Sequence, residues 1–180
     1  IGFNNFTIVE AGRKINEFMP NHVIELLKDA FLEFNKEIKN STILILGVSY
    51  KPDIKDIQLT PAESIISSLI KLGCNVKIYD PYFKNTTIFG IKTENNILNV
   101  LKETDGLVVV TTHKEFHNLD STFLKSNMRS PIVIDSKCIL DQQEANKSGL
   151  ISGMPLWCLS KCRELGVIIP SRCCNGVREA

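Results

Sequence analysis

The sequence predicts an α/β fold, a doubly wound parallel sheet preceded by a long helix, and three observations carry that expectation. Four short runs, TILILGV (42–48), NVKIYD (75–80), GLVVVTT (106–112) and PIVIDS (131–136), are rich in Val and Ile and apolar on both faces. Strands covered by helices on two sides need that pattern. Amphipathic segments separate the runs, and strands alternating with helices build right-handed crossovers into one sheet. Ahead of the first run the apolar spacing is helical instead of alternating.

In PNHVIELLKDAFLEFNKEIKN (20–40), Val23, Leu26, Leu27, Ala30, Phe31, Phe34 and Ile38 fall on one helical face, and Pro20 suits a first turn. Residues 8–18 are helical in tendency too, and the residue before proline avoids the α region. The spacing therefore predicts a helix bent or broken near Phe18 or Met19. Its Val23, Leu26 and Phe31 face exceeds what one small sheet needs, so a homodimer through this helix is expected. Downstream, PAESIISSLIKLG (61–73) sets Ile65, Ile66, Leu69, Ile70 and Leu72 on one side with Gly73 as a stop. ENNILNVLKET (94–104) and KEFHNLDSTFLKSN (114–127) read as two further helices, and IFGIKT (88–93) as a short strand. After Gly149 the periodicity ends, and the last residues carry four of the six cysteines and the only Trp. The chain thus divides into a leading helix (1–40), an α/β domain (41–150) and a tail (151–180) given no function.

Composition narrows the function classes. The chain of 180 residues is 43% hydrophobic and 23% charged with a formal net charge of +1, which excludes wholesale attraction to nucleic acid or an acidic membrane surface. No apolar run approaches the roughly 18 residues of a membrane span, and no export signal is visible, so a cytoplasmic protein with reduced thiols is expected. Cys158, Cys162, Cys173 and Cys174 match none of the common zinc spacings, and His113 and His117, four apart, lack a third ligand nearby. No metal is assigned.

In open α/β sheets ligands bind beyond the carboxyl ends of the strands, where the strand order reverses. GVSYKPDIKDIQLTPAESI (47–65) follows the first strand there, yet it holds one glycine, Gly47, and no Gly-Lys-Ser/Thr ending. Neither nucleotide fingerprint is satisfied. Asp80, where a ribose-binding acid would stand, reads as a turn residue before Pro81. The loop instead offers Thr60 as an N-cap, Pro61 as a first helical residue, the amides of the turn that follows, the Lys51 ammonium and the Tyr50 ring. That set suits a nucleotide diphosphate approached from outside the loop. The plainer reading makes Lys51 a solvated lysine, Tyr50 a lid on the core, and Asp53 and Asp56 turn formers.

Gly47-Val48-Ser49-Tyr50-Lys51-Pro52-Asp53, with Asp56, Thr60-Pro61-Ala62 and Tyr79-Asp80-Pro81-Tyr82, resembles the C-terminal, UDP-binding domain of the UDP-glucose/GDP-mannose dehydrogenase family. Arg13-Lys14-Ile15-Asn16 with Met19-Pro20 is similar to that family's inter-domain helix, and Asp135-Ser136-Lys137 with Ile139-Leu140-Asp141 to its last strand and turn. The resemblance implies a Rossmann-like domain within an enzyme that oxidises the C6 alcohol of a UDP-sugar to a carboxylate in two NAD-dependent steps. It implies that Tyr50 and Lys51 contact the nucleotide sugar and that Lys137 stands near the sugar. Gln58 takes the place of an arginine that reaches toward the cofactor. The family's glycine-rich NAD loop and its nucleophilic cysteine, which precedes the central helix, have no counterpart here, since no cysteine precedes Cys74. This chain alone is expected to be inactive, with NAD bound mainly by a missing N-terminal part. A further expectation is that the family's glycine- and tyrosine-containing strand is lacking in LISGMPLW (150–157). The sugar, and UDP against GDP, stay open. The rival from another class is a stand-alone nucleotide-binding or regulatory α/β domain; a signalling receiver lacks its acidic residues at Gly47 to Lys51 and Thr111 to His113.

Overall fold

A computed structural model describes residues 7–137, 139–141, 145 and 147–153. Helix α1 (Thr7–Glu33) leads into β1 (Thr42–Leu46), α2 (Ala62–Lys71) and β2 (Asn75–Tyr79), then a small hairpin of β3 (Thr87–Ile88) and β4 (Ile91–Lys92). After it come α3 (Ile97–Leu101), β5 (Gly106–Val109), a 3₁₀ turn (Lys114–Asn118), α4 (Ser121–Asn127), β6 (Ile132–Asp135) and β7 (Ile151–Gly153). The five-stranded sheet has the order β2-β1-β5-β6-β7 and every pair is parallel. The chain therefore moves outward from β1 in both directions, and the expected doubly wound α/β sheet is what forms.

Alternating strand positions feed two cores. Ile43, Ile45, Val76, Ile78, Val108, Ile132 and Ile134 pack under α1 and α2, with Leu27, Phe31, Ile66 and Leu69. Leu44, Leu46, Leu107, Val109 and Val133 pack on the other face with Val100, Leu101, Phe116 and Leu124. A β-carbon on Gly106 would sit 2.9 Å from the Phe31 ring, so a bare backbone there lets α1 press onto the sheet.

Several boundaries differ from the sequence reading. Helix α1 is continuous through Pro20 instead of breaking near Phe18 or Met19, because Pro20, Val23, Ile24 and Leu27 are all buried and tertiary packing outweighs local propensity. It ends at Glu33, ahead of Asn35 with φ 53°. Val23 and Phe31 are buried in this chain's own core and Leu26 packs against it, which removes the face assigned to a second subunit. The 94–104 segment forms a helix only over Ile97–Leu101, where the Asn96 side chain accepts from the Leu98 amide. Residues 114–127 split in two, because Asp120 caps Ser121–Asn127 by accepting from the Phe123 amide. IFGIKT is a hairpin rather than a strand, turning at Phe89 (φ 49°) and Gly90 (φ 79°). A strand does form within LISGMPLW as β7, with Ile132 beside Ile151 and Ile134 beside Gly153; it holds a glycine and no tyrosine. Three residues are too few to show a period. The remainder of the 151–180 tail, and Cys138, Cys158, Cys162, Cys173 and Cys174, lie outside the described residues.

Candidate functional site

The order β2-β1-β5 sets the loops after those three strands side by side at the point where the winding reverses, the usual ligand position in such sheets. Gly47 ends β1 there with φ +77°, and a β-carbon would lie 2.2 Å from the Thr111 carbonyl oxygen. Only glycine fits, for both reasons. The glycine thus brings two strand ends together, and the space a phosphate would take beside it is filled by protein backbone.

The loop holds Asp80. Its Oδ2 accepts from the amides of Val48 (2.9 Å) and Ser49 (3.1 Å) and from the Ser49 hydroxyl (2.9 Å). Its Oδ1 accepts from the Tyr82 amide (2.9 Å), an Asx turn that agrees with the turn role read from the sequence. The His113 Nε2 lies 3.1 Å from Oδ2, while His113 Nδ1 accepts from the Asp53 amide at 2.9 Å. An acceptor at Nδ1 places the proton of the neutral ring on Nε2, which then donates to Asp80. Both side chains are fully buried. Burial alone would raise the Asp80 pKa, but the hydrogen bond from His113 and the amides of Tyr82 and Val48 outweigh it and hold the carboxyl below its ordinary value. Sequence reasoning missed this pair. The only signals for it were an acid closing the second strand and a histidine just past the third.

The rest of the loop is pinned from both sides. Thr111 donates its hydroxyl to the Ser49 carbonyl (2.6 Å), the Tyr50 amide bonds the Asp56 carbonyl (2.6 Å), and Asp53 Oδ1 accepts from the Lys114 amide (3.1 Å). Tyr50, Lys51 and Pro52 project as an exposed tip. Tyr50 is half exposed instead of lidding the core, and the Lys51 ammonium sits 5.2 Å from its ring centroid.

A cleft of about 870 Å³ opens between the first half of α1 and the start of α2; Arg13, Asn16, Pro20, Thr60, Ser64 and Lys137 are among its lining residues, and Tyr50 and Lys51 are not. Helix α2 begins at Ala62 with Pro61, not Thr60, at its N-cap, and the Thr60 hydroxyl accepts from the Ala62 amide at 3.3 Å from one residue further out. Lys137 follows β6, where Asp135 Oδ1 accepts from its amide (3.0 Å) and Asp135 Oδ2 from the Leu140 amide (2.9 Å). The residue is exposed, yet surrounding protein desolvates its ammonium and lowers its pKa. Of the sequence-predicted residues, the cleft gathers Lys137 and the first turn of α2. Tyr50 and Lys51 lie together on the tip, and Gln58, exposed, donates its backbone N–H to Asp56 Oδ1 (2.9 Å). Among the described residues no cluster of His, Cys, Asp and Glu could hold a metal, and no helix is long and apolar enough to cross a membrane. With the Val48 and Ser49 amides taken by Asp80 and the Gly47 face closed by Thr111, the loop does not fit the pyrophosphate of NAD.

A doubly wound parallel sheet with a cleft at its strand ends belongs to the α/β class whose ligands bind where the strand order reverses. Residues 44–142 match the UDP binding domain of the UDP-glucose/GDP-mannose dehydrogenase family, and the chain belongs to that family. It is 32% identical over 148 residues to a UDP-N-acetyl-D-mannosamine dehydrogenase of Methanococcus aeolicus, covering 81% of this chain and 32% of the relative. It is 28% identical over 150 residues to a UDP-glucose 6-dehydrogenase of Bacillus subtilis, with the same coverages. The solved UDP-N-acetyl-D-mannosamine dehydrogenase of Pyrococcus horikoshii superposes with a TM-score of 0.74 at 26% identity, over 85% of this chain and 34% of the other. The chain spans about a third of the length of the curated relatives it matches.

Proposed function

We propose that this chain is the nucleotide-sugar-binding portion of an NAD-dependent UDP-sugar 6-dehydrogenase, an enzyme that oxidises the sugar C6 alcohol to a carboxylate. The match of residues 44–142 to the family's UDP binding domain carries the reading. In it, residues 1–40 are the inter-domain helix, 41–150 hold the UDP and 151–180 form the tail. Lys51 and Tyr50 grip the diphosphate beside the first turn of α2, whose free amides and dipole favour an anion. Lys137, which lines the same cleft as the first turn of α2, faces the sugar. Gln58 approaches the cofactor as a neutral group. NAD is bound mainly outside this chain, consistent with a loop that has no room for its pyrophosphate, and the chain by itself turns nothing over. The intact enzyme is a cytoplasmic homodimer.

Calorimetric titration of the 180-residue chain with UDP, GDP and NAD tests this reading. UDP is expected to bind selectively, and Lys51→Ala to weaken it by at least about tenfold, the loss of one charge-assisted contact to a phosphate. Tight NAD binding with no response to UDP would reverse the assignment.

A further inference from the structure

We propose that Asp80 and His113 are positioning residues for the nucleotide-sugar site: a built-in carboxylate occupies the two amides that end β1, and the histidine clamps the far side of the same loop. The inference rests on the proposed UDP-sugar reading and adds to it two groups that no ligand touches.

Consecutive backbone amides after a parallel strand are an anion-binding feature. Here they are filled permanently, because Val48 N–H and Ser49 N–H both point at Asp80 Oδ2. The segment 48–53 is thereby fixed at its start by Asp80 and at its end by the Asp53 amide on His113 Nδ1. His113 itself is held by the Asp80 carboxylate at 3.1 Å, between the rings of Tyr82 and Phe116 at centroid distances of 5.1 and 5.4 Å. Three loops, from β1, β2 and β5, meet in one buried unit. What remains outside it is the tip carrying Tyr50 and Lys51. A ligand is therefore met by side chains on the outside of a rigid loop and not by amides within it, and the tip needs no ordering when the ligand arrives.

The two bonds of His113 can be separated by substitution. His113→Ala removes both; His113→Asn restores an acceptor near the Nδ1 position, and so the Asp53 anchor, without reaching Asp80. UDP affinity, measured by calorimetry on the full 180-residue chain, is expected to fall at least about tenfold in His113→Ala and to recover most of that in His113→Asn. The melting temperature of both variants stays depressed, because Asp80 lacks its buried donor in each. Affinity and stability would thus separate, which a purely structural histidine would not produce. Should both variants bind UDP as the parent chain does, or should affinity follow melting temperature across the three proteins, the positioning role is overturned. If the parent chain does not bind UDP, or binds it equally well as Lys51→Ala, the nucleotide-sugar reading fails instead.

Discussion

At the scale of single residues, the buried Asp80 carboxylate has the largest consequences. A buried charge is tolerated only when its lone pairs are filled, and here the donors come from Val48, Ser49, Tyr82 and His113. Its folded pKa is lowered, so it contributes stability that is complete above the unfolded carboxylate value of about 3.9 and is lost as pH falls through the lower folded value. Asp80→Asn can keep a carbonyl oxygen toward residues 48, 49 and 113 but then sets its amide N–H against the Tyr82 N–H and removes the charge, and is expected to cost about 2–3 kcal/mol at neutral pH. Urea unfolding at descending pH would show the gap between the two proteins narrowing below about pH 4, where the carboxyl of the unfolded parent chain takes up its proton first. A gap that stays constant into strong acid would refute the assignment of the charge. This pair was not legible in the sequence. The partners are 33 positions apart, and their loops meet only because β1 lies between β2 and β5.

At the scale of elements, the strands were the most legible, since Ile43 to Leu46 and Leu107 to Val109 are buried on both sides and read as continuous apolar runs. The short helices were less so, because Ile97–Leu101 and Ser121–Asn127 begin at side-chain caps that a search for apolar period overlooks. Helix α1 contradicted a local rule. Pro20 has no N–H, so the Asn16 carbonyl lacks its partner four residues on, and both residues line the cleft. An interior proline costs about 3 kcal/mol in an isolated helix, and the buried contacts of Val23, Ile24, Leu27 and Phe31 are what carry the helix past it. Pro20→Ala should restore the bond and, after losing some packing of the buried ring, stabilise the chain by about 1–2 kcal/mol. Thermal melting followed by circular dichroism would register this as a higher midpoint. A lower one would mean that the helix depends on the proline ring more than on its own hydrogen bonding.

At the scale of the whole molecule, the leading helix outruns the sheet it packs on. Its 27 residues extend about 40 Å at 1.5 Å per residue, whereas the five residues of β1 span about 17 Å. The second half of α1 is buried against this chain's own sheet, and residues 9–18 are exposed throughout. The projecting half is the part of α1 that this chain offers to the proposed homodimer. Ala11, Ile15 and Phe18 recur there at four and three, one stripe of a helix, with Ile15 62% and Phe18 52% exposed. Two such stripes meeting about a twofold axis would cover one another with the same residues from each copy. Charges on both sides of that axis would repel as well as wet the contact. Light scattering at micromolar concentration should then give twice the chain mass for the parent and one chain mass for the double variant Ile15→Glu, Phe18→Glu, whose far-ultraviolet circular dichroism stays that of the parent because neither side chain belongs to the core. A parent of single chain mass removes the dimer from this chain. A double variant that still pairs would move the interface off the projecting half of α1.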